Sequence, residues 1–321
     1  MSIDRAMGEG AVWFDDFAAG FTQWNQLEVG AFCPNDAVIT VDASGLDVVP
    51  KGVNPISGEP AFTQTIAPSP PGTGLLGVLD HVKWLASVNK QSSKGFTGFD
   101  TPSGKTIYIE ALMSGRTYGT ERHPFGEAVR DVYRDFRLAA PAMVCMDQET
   151  NVVLDFFLTN TAIFALYERP PFARDKFGNY AAFSFAVPVG SRAPDDWHKL
   201  AISYDRDSNT ARWFVDGKVV LEVDRVGRRI DRCYMALDVG GEEQTVRLDQ
   251  LECGLGMFTL MDASFNGGPG LIDLAGFPFF FCTARGEPHP LQYLDGESLQ
   301  ANRLFGQGAR VRCQSFSVSY R

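Results

Sequence analysis

The sequence predicts an all-β chain folded as a two-sheet antiparallel β-sandwich. Three observations carry this. Runs of four to eight residues bounded by Gly, Pro, Asn or Asp recur along the chain. Amphipathic windows with apolar spacing near 3.6 are scarce. One stretch, from Trp197 to Val223, reads as successive hairpins, with Asp216-Gly217 as a tight turn between two of its strands.

The expected strands, in order, are residues 37–41, 81–89, 106–114, 151–159, 162–168, 181–187, 198–204, 211–215, 219–223, 245–252 and 311–320. So many short strands with turns between them call for two packed sheets. Period-2 alternation sorts their faces. In 81–89, Val82, Trp84, Ala86 and Val88 form one face, and His81, Lys83, Leu85, Ser87 and Asn89 the other. In 106–114, Ile107, Ile109, Ala111 and Met113 point inward, while Tyr108, Glu110, Leu112 and Ser114 share a polar face. In 151–159, Asp155 shares its face with Val153 and Phe157. Residues 68–74 (PSPPGTG) and 264–270 (SFNGGPG) read as loops, as does the long segment 118–138 with one short helical turn. Residues 1–321 are expected to form a single domain.

A net charge of −10 offers no basic footprint, which argues against nucleic acid as a partner. The opening residues MSIDRAMGEGAVW have no apolar core of the secretory type, and apolar stretches such as 277–282 are too short to span a bilayer. A cytoplasmic protein without a membrane partner is the expectation. Six dispersed cysteines (Cys33, Cys145, Cys233, Cys253, Cys282 and Cys313) without a CxxC are expected to be reduced, mostly buried thiols. The four histidines form no zinc pattern, so no metal is expected, and no cofactor. The 25 Phe exceed what a core alone calls for and leave aromatic side chains for a ligand-lined groove.

The strand Trp197-His198-Lys199-Leu200-Ala201-Ile202-Ser203-Tyr204, followed by Trp213-Phe214-Val215-Asp216-Gly217, resembles the concanavalin A-like lectin/glucanase superfamily, in which laminarinase-type and laminin G-like chains show a W-H strand and then a V-D-G turn. The 107–113 strand is similar to that superfamily's early Φ-E-A strand. The resemblance implies a jelly roll whose concave sheet binds the ligand. It also shows a departure. Laminarinase-type enzymes carry E-x-D-x-E on one strand, which sets a nucleophile and a general acid on one face. Here Asp155 matches the middle acid, but Val153 and Phe157 stand where the flanking acids belong. A paired-carboxylate glycosidase cannot be built on this strand.

If these strands lie in the concave sheet, then His81, Lys83, Tyr108, Glu110 and Asp155 face a ligand, beside Phe157. The competing reading pairs Glu110 with Lys83 across strands on a wet face. His123, in Arg122-His123-Pro124, sits on the long loop and titrates near neutrality. Tyr167, Glu168 and Arg169 end a strand where they could orient a polar ligand. These residues give two function classes. One is a cofactor-independent enzyme acting on a small, fairly apolar metabolite by acid/base chemistry (cyclisation, isomerisation or elimination, as in natural-product biosynthesis), with Asp155, Glu110 and His123 as proton handlers and Tyr108, Lys83, His81, Phe157, Tyr167, Glu168 and Arg169 holding the substrate. The other is a glycan-binding, lectin-like protein. A divergent glycoside hydrolase using acids from other strands is a further alternative. A closed apolar pocket with buried carboxylates favours the first, and an open groove with a row of exposed aromatics favours the second.

Overall fold

The computed structural model describes residues 10–28, 32–69, 76–274, 279–282 and 287–321. The first nine residues and parts of the 68–74 loop and the 277–282 stretch fall outside these. In chain order, the strands that matter here are β1 (Ala11–Asp15), β2 (Trp24–Gln26), β3 (Val38–Asp42), β4 (Gly45–Val49), β5 (Val82–Val88), β6 (Thr106–Tyr118), β7 (Ala140–Asp147), β8 (Val152–Leu158), β9 (Ala162–Arg169), β10 (Phe183–Ser191), β11 (Trp197–Asp205), β12 (Thr210–Val215), β13 (Lys218–Val223), β14 (Met235–Asp238), β15 (Gln250–Phe258) and β16 (Gly308–Tyr320).

Among the described residues these strands make two large antiparallel sheets. An eight-stranded sheet runs β13-β12-β11-β6-β16-β4-β3, with β1 also on β16. An eleven-stranded sheet runs β2-β5-β15-β7-β8-β9-β10-β14 and continues through two short pieces, with Phe99–Asp100 on β15. This is the two-layer sandwich that the sequence predicts. The alternation of β6 holds: Ile107, Ile109, Ala111 and Met113 pack inward with Leu200, Ile202 and Trp213 against Trp84, Phe156 and Tyr167 of the other sheet. Burying each such large apolar side chain contributes roughly 1.5–3 kcal/mol.

The W-H and V-D-G segments are tied together by the turn. Asp216 and Gly217 both have positive φ (51° and 79°), as a type I′ turn requires. The Asp216 carboxylate lies 3.0 Å from His198 Nδ1 and accepts the Lys199 N–H at 2.9 Å. His198 therefore holds the hairpin together.

Some strand expectations change. The 245–252 strand is found later, as Gln250–Phe258, and β7 was not expected, nor were β1, β2, β4 and β14. β7 is buried along nearly its whole length, so it lacks the polar alternation that marks a half-exposed strand. The 118–138 segment is a loop with two short 3-10 turns, Thr120–Arg122 and Gly126–Ala128. Cys33, Cys145, Cys253 and Cys313 are free thiols, and the last three are buried. No helix among the described residues is long and apolar enough to cross a membrane.

Candidate functional site

The outer face of the eleven-stranded sheet has a register that lines residues up in rows. One row runs Glu252, Met146, Val153, Glu168, Ser184, Leu237 across six strands, each residue opposite the next. The next row holds Ser87, Gly254 and Val144 and then, beyond a gap in the ladder, Asp155, Leu166 and Ala186. A third holds Leu85, Gly256, Ala142, Phe157, Phe164 and Pro188. Asp155 and Glu168 are thus diagonal neighbours on adjacent strands and share a face.

Part of this face is roofed. After β15 the chain is fixed by a Thr259 N–H bond to the His81 carbonyl, and by Ser264 it is bonded to Ala236 in β14. It crosses the sheet in between, and Leu260 and Ala263 pack on Ala142, Phe157 and Phe164 as a second apolar core. What remains open is a cavity of about 330 Å³, walled mainly by Val, Leu and Phe side chains and reached by Asp155, Glu168, Glu252, His81 and Asp262.

The polar groups in it are organised. His81 Nε2 is 2.5 Å from Asp262 Oδ1, and Asp262 is fully buried. Burial pulls His81 toward the neutral imidazole, but the Asp262 carboxylate, helped by Glu168 and Asp80, outweighs it and raises the pKa. Burial also raises Glu168, against a hydrogen bond from Ser184 and the charge of His81. Burial pushes Asp155 well above the usual carboxylate range; Glu168 adds to this, and the Cys145 N–H bond opposes it. At the other end of the row, Glu252 accepts from Ser87 and from Gln148 Nε2. Asp155 and Glu168 are thus raised, and the histidine beside them is made more basic. These are complementary conditions for giving and taking a proton. Among the described residues, no group of three or more His, Cys, Asp or Glu is placed to hold a metal ion.

Of the residues singled out in the sequence, His81, Asp155, Phe157 and Glu168 line this cavity. The others lie elsewhere. Tyr108 and Glu110 are in β6, so they face outward from the eight-stranded sheet, in a shallow groove with Ser317, Ser319 and Arg321. Glu110 pairs there with Lys199 at 3.4 Å, not with Lys83. A bulge opposite the Met257/Phe258 step breaks the alternation of β5, placing Val82 on the cavity wall and burying Lys83 against Asp80 at 3.2 Å. Tyr167 and Arg169 flank Glu168 and so point into the sandwich. The Tyr167 hydroxyl accepts the Gly227 N–H, and Arg169 donates to the carbonyls of Thr150 and Gln244 beneath the Tyr180 ring. His123 stays on its loop, stacked on Phe125, with Nδ1 accepting the Phe125 N–H. Asp262, Ser184 and Glu252 were missed. The one local signal for Asp262 is an acid alone in the apolar run FTLMDASF.

A family profile described as "Family of unknown function (DUF6081)" matches residues 14–321. The chain belongs to the DUF6081 family. The uncharacterized protein L829 of Acanthamoeba polyphaga mimivirus is 30% identical to this DUF6081 chain over 285 residues, covering 71% of this chain and 60% of the relative. The chain therefore spans about 60% of the length of that curated relative. Solved structures of similar outline include an endo-1,3-beta-glucanase from Streptomyces sioyaensis (TM-score 0.45, 13% identity, 98% of each chain) and the laminarinase catalytic domain from Thermotoga petrophila (0.40, 12%, 97% of each). Another is alginate lyase A1-II′ of polysaccharide lyase family-7 (0.43, 11%, 88% of this chain and 82% of that one). No residue role or activity is taken over from them.

Proposed function

We propose that the cavity is the active centre of an enzyme that acts on a small, largely apolar molecule by proton transfer, in a cyclisation, isomerisation or elimination. The observation that carries this reading is the convergence of Asp155, Glu168 and the His81–Asp262 pair on a cavity with apolar walls. Asp155, kept protonated by burial beside Val153 and Phe157, gives the proton. His81, oriented and made more basic by Asp262, takes one back. Glu168 interacts with both and holds the polar group of the substrate. These steps call for no redox cofactor. A glycan-binding role has less support, because the described part of this face is a hollow with mainly apolar walls and not an open row of aromatics.

A second reading, glycosidic hydrolysis, is favoured by one observation: Asp155 and Glu168 share a face on adjacent strands. Against it, Val, Leu and Phe walls give sugar hydroxyls few partners, and each unpaired hydroxyl costs about 1–3 kcal/mol.

The test is to incubate the protein with a lipophilic metabolite extract and follow it by mass spectrometry. Asp155→Asn and His81→Asn are expected to lower turnover by roughly a hundredfold or more, the range of a lost acid or base, while Glu110→Gln keeps it. The product should be isomeric with the substrate or lack one water. Full turnover by Asp155→Asn, or a product that has gained water, overturns the reading.

A further inference from the structure

The charges around the cavity are one-sided. Asp155, Glu168, Glu252 and Asp262 reach it, against a single basic group, His81, and no lysine or arginine is among the described residues lining it. A buried excess of acid is costly unless it is protonated or paired. Glu252 is satisfied by Ser87 and Gln148. Asp262 is not: Oδ1 meets His81, but Oδ2 is fully buried and accepts no hydrogen bond among the described residues. A buried carboxylate oxygen left without a donor at the edge of a cavity favours an occupant that brings positive charge close to it. The rings of Phe157 and Phe258 also line the space, and aromatic faces attract a desolvated cation.

Resting on the reading that this cavity is the substrate site, we propose that its ligand is an apolar molecule carrying one protonated amine, held against Glu168 with the Asp262 carboxylate close by. An anionic ligand would meet carboxyl groups on every side and find the one histidine already engaged by Asp262. A neutral apolar ligand would leave Asp262 Oδ2 without a donor. An ammonium supplies both the donors and the missing charge.

Proton release gives the proposal a signature. Glu168 is faced by His81 from the segment before β5, by Asp262 from the loop after β15, by Ser184 of β10, by Asp155 of β8 and, along its row, by Glu252 of β15. In the empty cavity burial favours its neutral form. Pairing with an ammonium favours the carboxylate, so binding expels a proton.

Calorimetric titration of the full chain with phenethylamine, phenethyl alcohol and phenylacetate, in buffers of different ionisation heat, tests this. The amine is expected to bind about tenfold more tightly than the alcohol, equivalent to about 1.4 kcal/mol, with phenylacetate weakest and a proton released only on amine binding. Glu168→Gln should abolish both the amine preference and the proton release. Equal or tighter binding of the alcohol overturns the amine proposal and leaves the apolar-cavity reading intact. Binding of none of the three overturns both. Tight amine binding without proton release, unchanged in Glu168→Gln, places the amine outside this cavity and also overturns the proposal.

Discussion

The carboxyl group of Asp155 fills a gap in the sheet as well as facing the cavity. The β7–β8 ladder lacks its pairs at Val144 and Cys145, and the Cys145 N–H donates to Asp155 Oδ1 at 2.9 Å where a strand carbonyl would otherwise serve. Two substitutions separate the two roles. Asparagine keeps an acceptor oxygen, so Asp155→Asn should melt close to the wild type while losing its acidic proton. Leucine leaves a buried N–H unpaired, so Asp155→Leu should be less stable than Asp155→Asn by about 1–3 kcal/mol, as read from urea unfolding. Equal stability of the two variants would show that the Cys145 bond contributes nothing. At this scale the sequence was legible for Asp155, Phe157 and Glu168, because period-2 alternation in β8 and β9 sets their faces. Tyr167 and Arg169 follow the same rule, and it puts them on the opposite face from Glu168.

At the scale of elements, β15 shapes the cavity floor with glycine. Glu252, Gly254, Gly256 and Phe258 share its outer face. A Cβ on Gly254 would come 2.2 Å from the Ala86 carbonyl oxygen of β5, and a Cβ on Gly256 would come 2.4 Å from the Phe258 ring. The first obstacle is backbone and cannot swing aside. Gly254→Ala is expected to destabilise by about 1–3 kcal/mol, seen as a lower melting temperature; an unchanged melting temperature would mean that β5 and β15 separate freely. Gly256→Ala meets chiefly a side chain, which can turn, with the Trp84 carbonyl oxygen of β5 at 3.0 Å, so it should cost less and push Phe258 into the cavity. These strands also show where element-level reading stopped. Central β7 is apolar on both faces and gave no period. The bulge in β5 reassigns Lys83 and Val82, and a bulge depends on the partner strand, which local sequence does not specify.

For the whole molecule, the buried acids set the pH dependence of stability. Burial pushes Asp147 up to about 6, opposed by hydrogen bonds from Thr150 and the Glu149 N–H, and burial raises Asp155 and Glu168 as well. A carboxyl whose pKa is higher folded than unfolded binds its proton more tightly in the fold. Its burial therefore costs stability above its folded pKa, and that cost disappears as pH falls from about 6 toward about 4. His81 is raised too, so its contribution is present below its unfolded value and is lost as pH rises through the folded one. Asp42 and Asp216 are lowered and act the other way, but they are exposed and act only at more acid pH. The melting temperature should therefore be highest between about pH 4 and 6 and fall toward neutrality, and Asp147→Asn should flatten that fall. A melting temperature that climbs steadily from pH about 5 to 7 would contradict the assignment.

The sequence by itself determined the sandwich, the Asp216-Gly217 turn, the inward face of β6, and the absence of flanking acids around Asp155. All of these are set by neighbours one to a few residues apart, or by one hairpin. Only the tertiary structure decided which sheet carries the cavity, which took Glu110 and Tyr108 out of the site, and only the structure brought Asp262 and Ser184 beside Glu168 and set Glu252 at the far end of the same row. The physical reason is register. Glu252 and Glu168 lie in one row because β15, β7, β8 and β9 pair in that order, and Asp262 arrives because the chain after β15 crosses the face to reach β14. Pairings between distant strands and the path of a roofing loop are settled by packing energy summed over the whole sheet, and no local pattern encodes them.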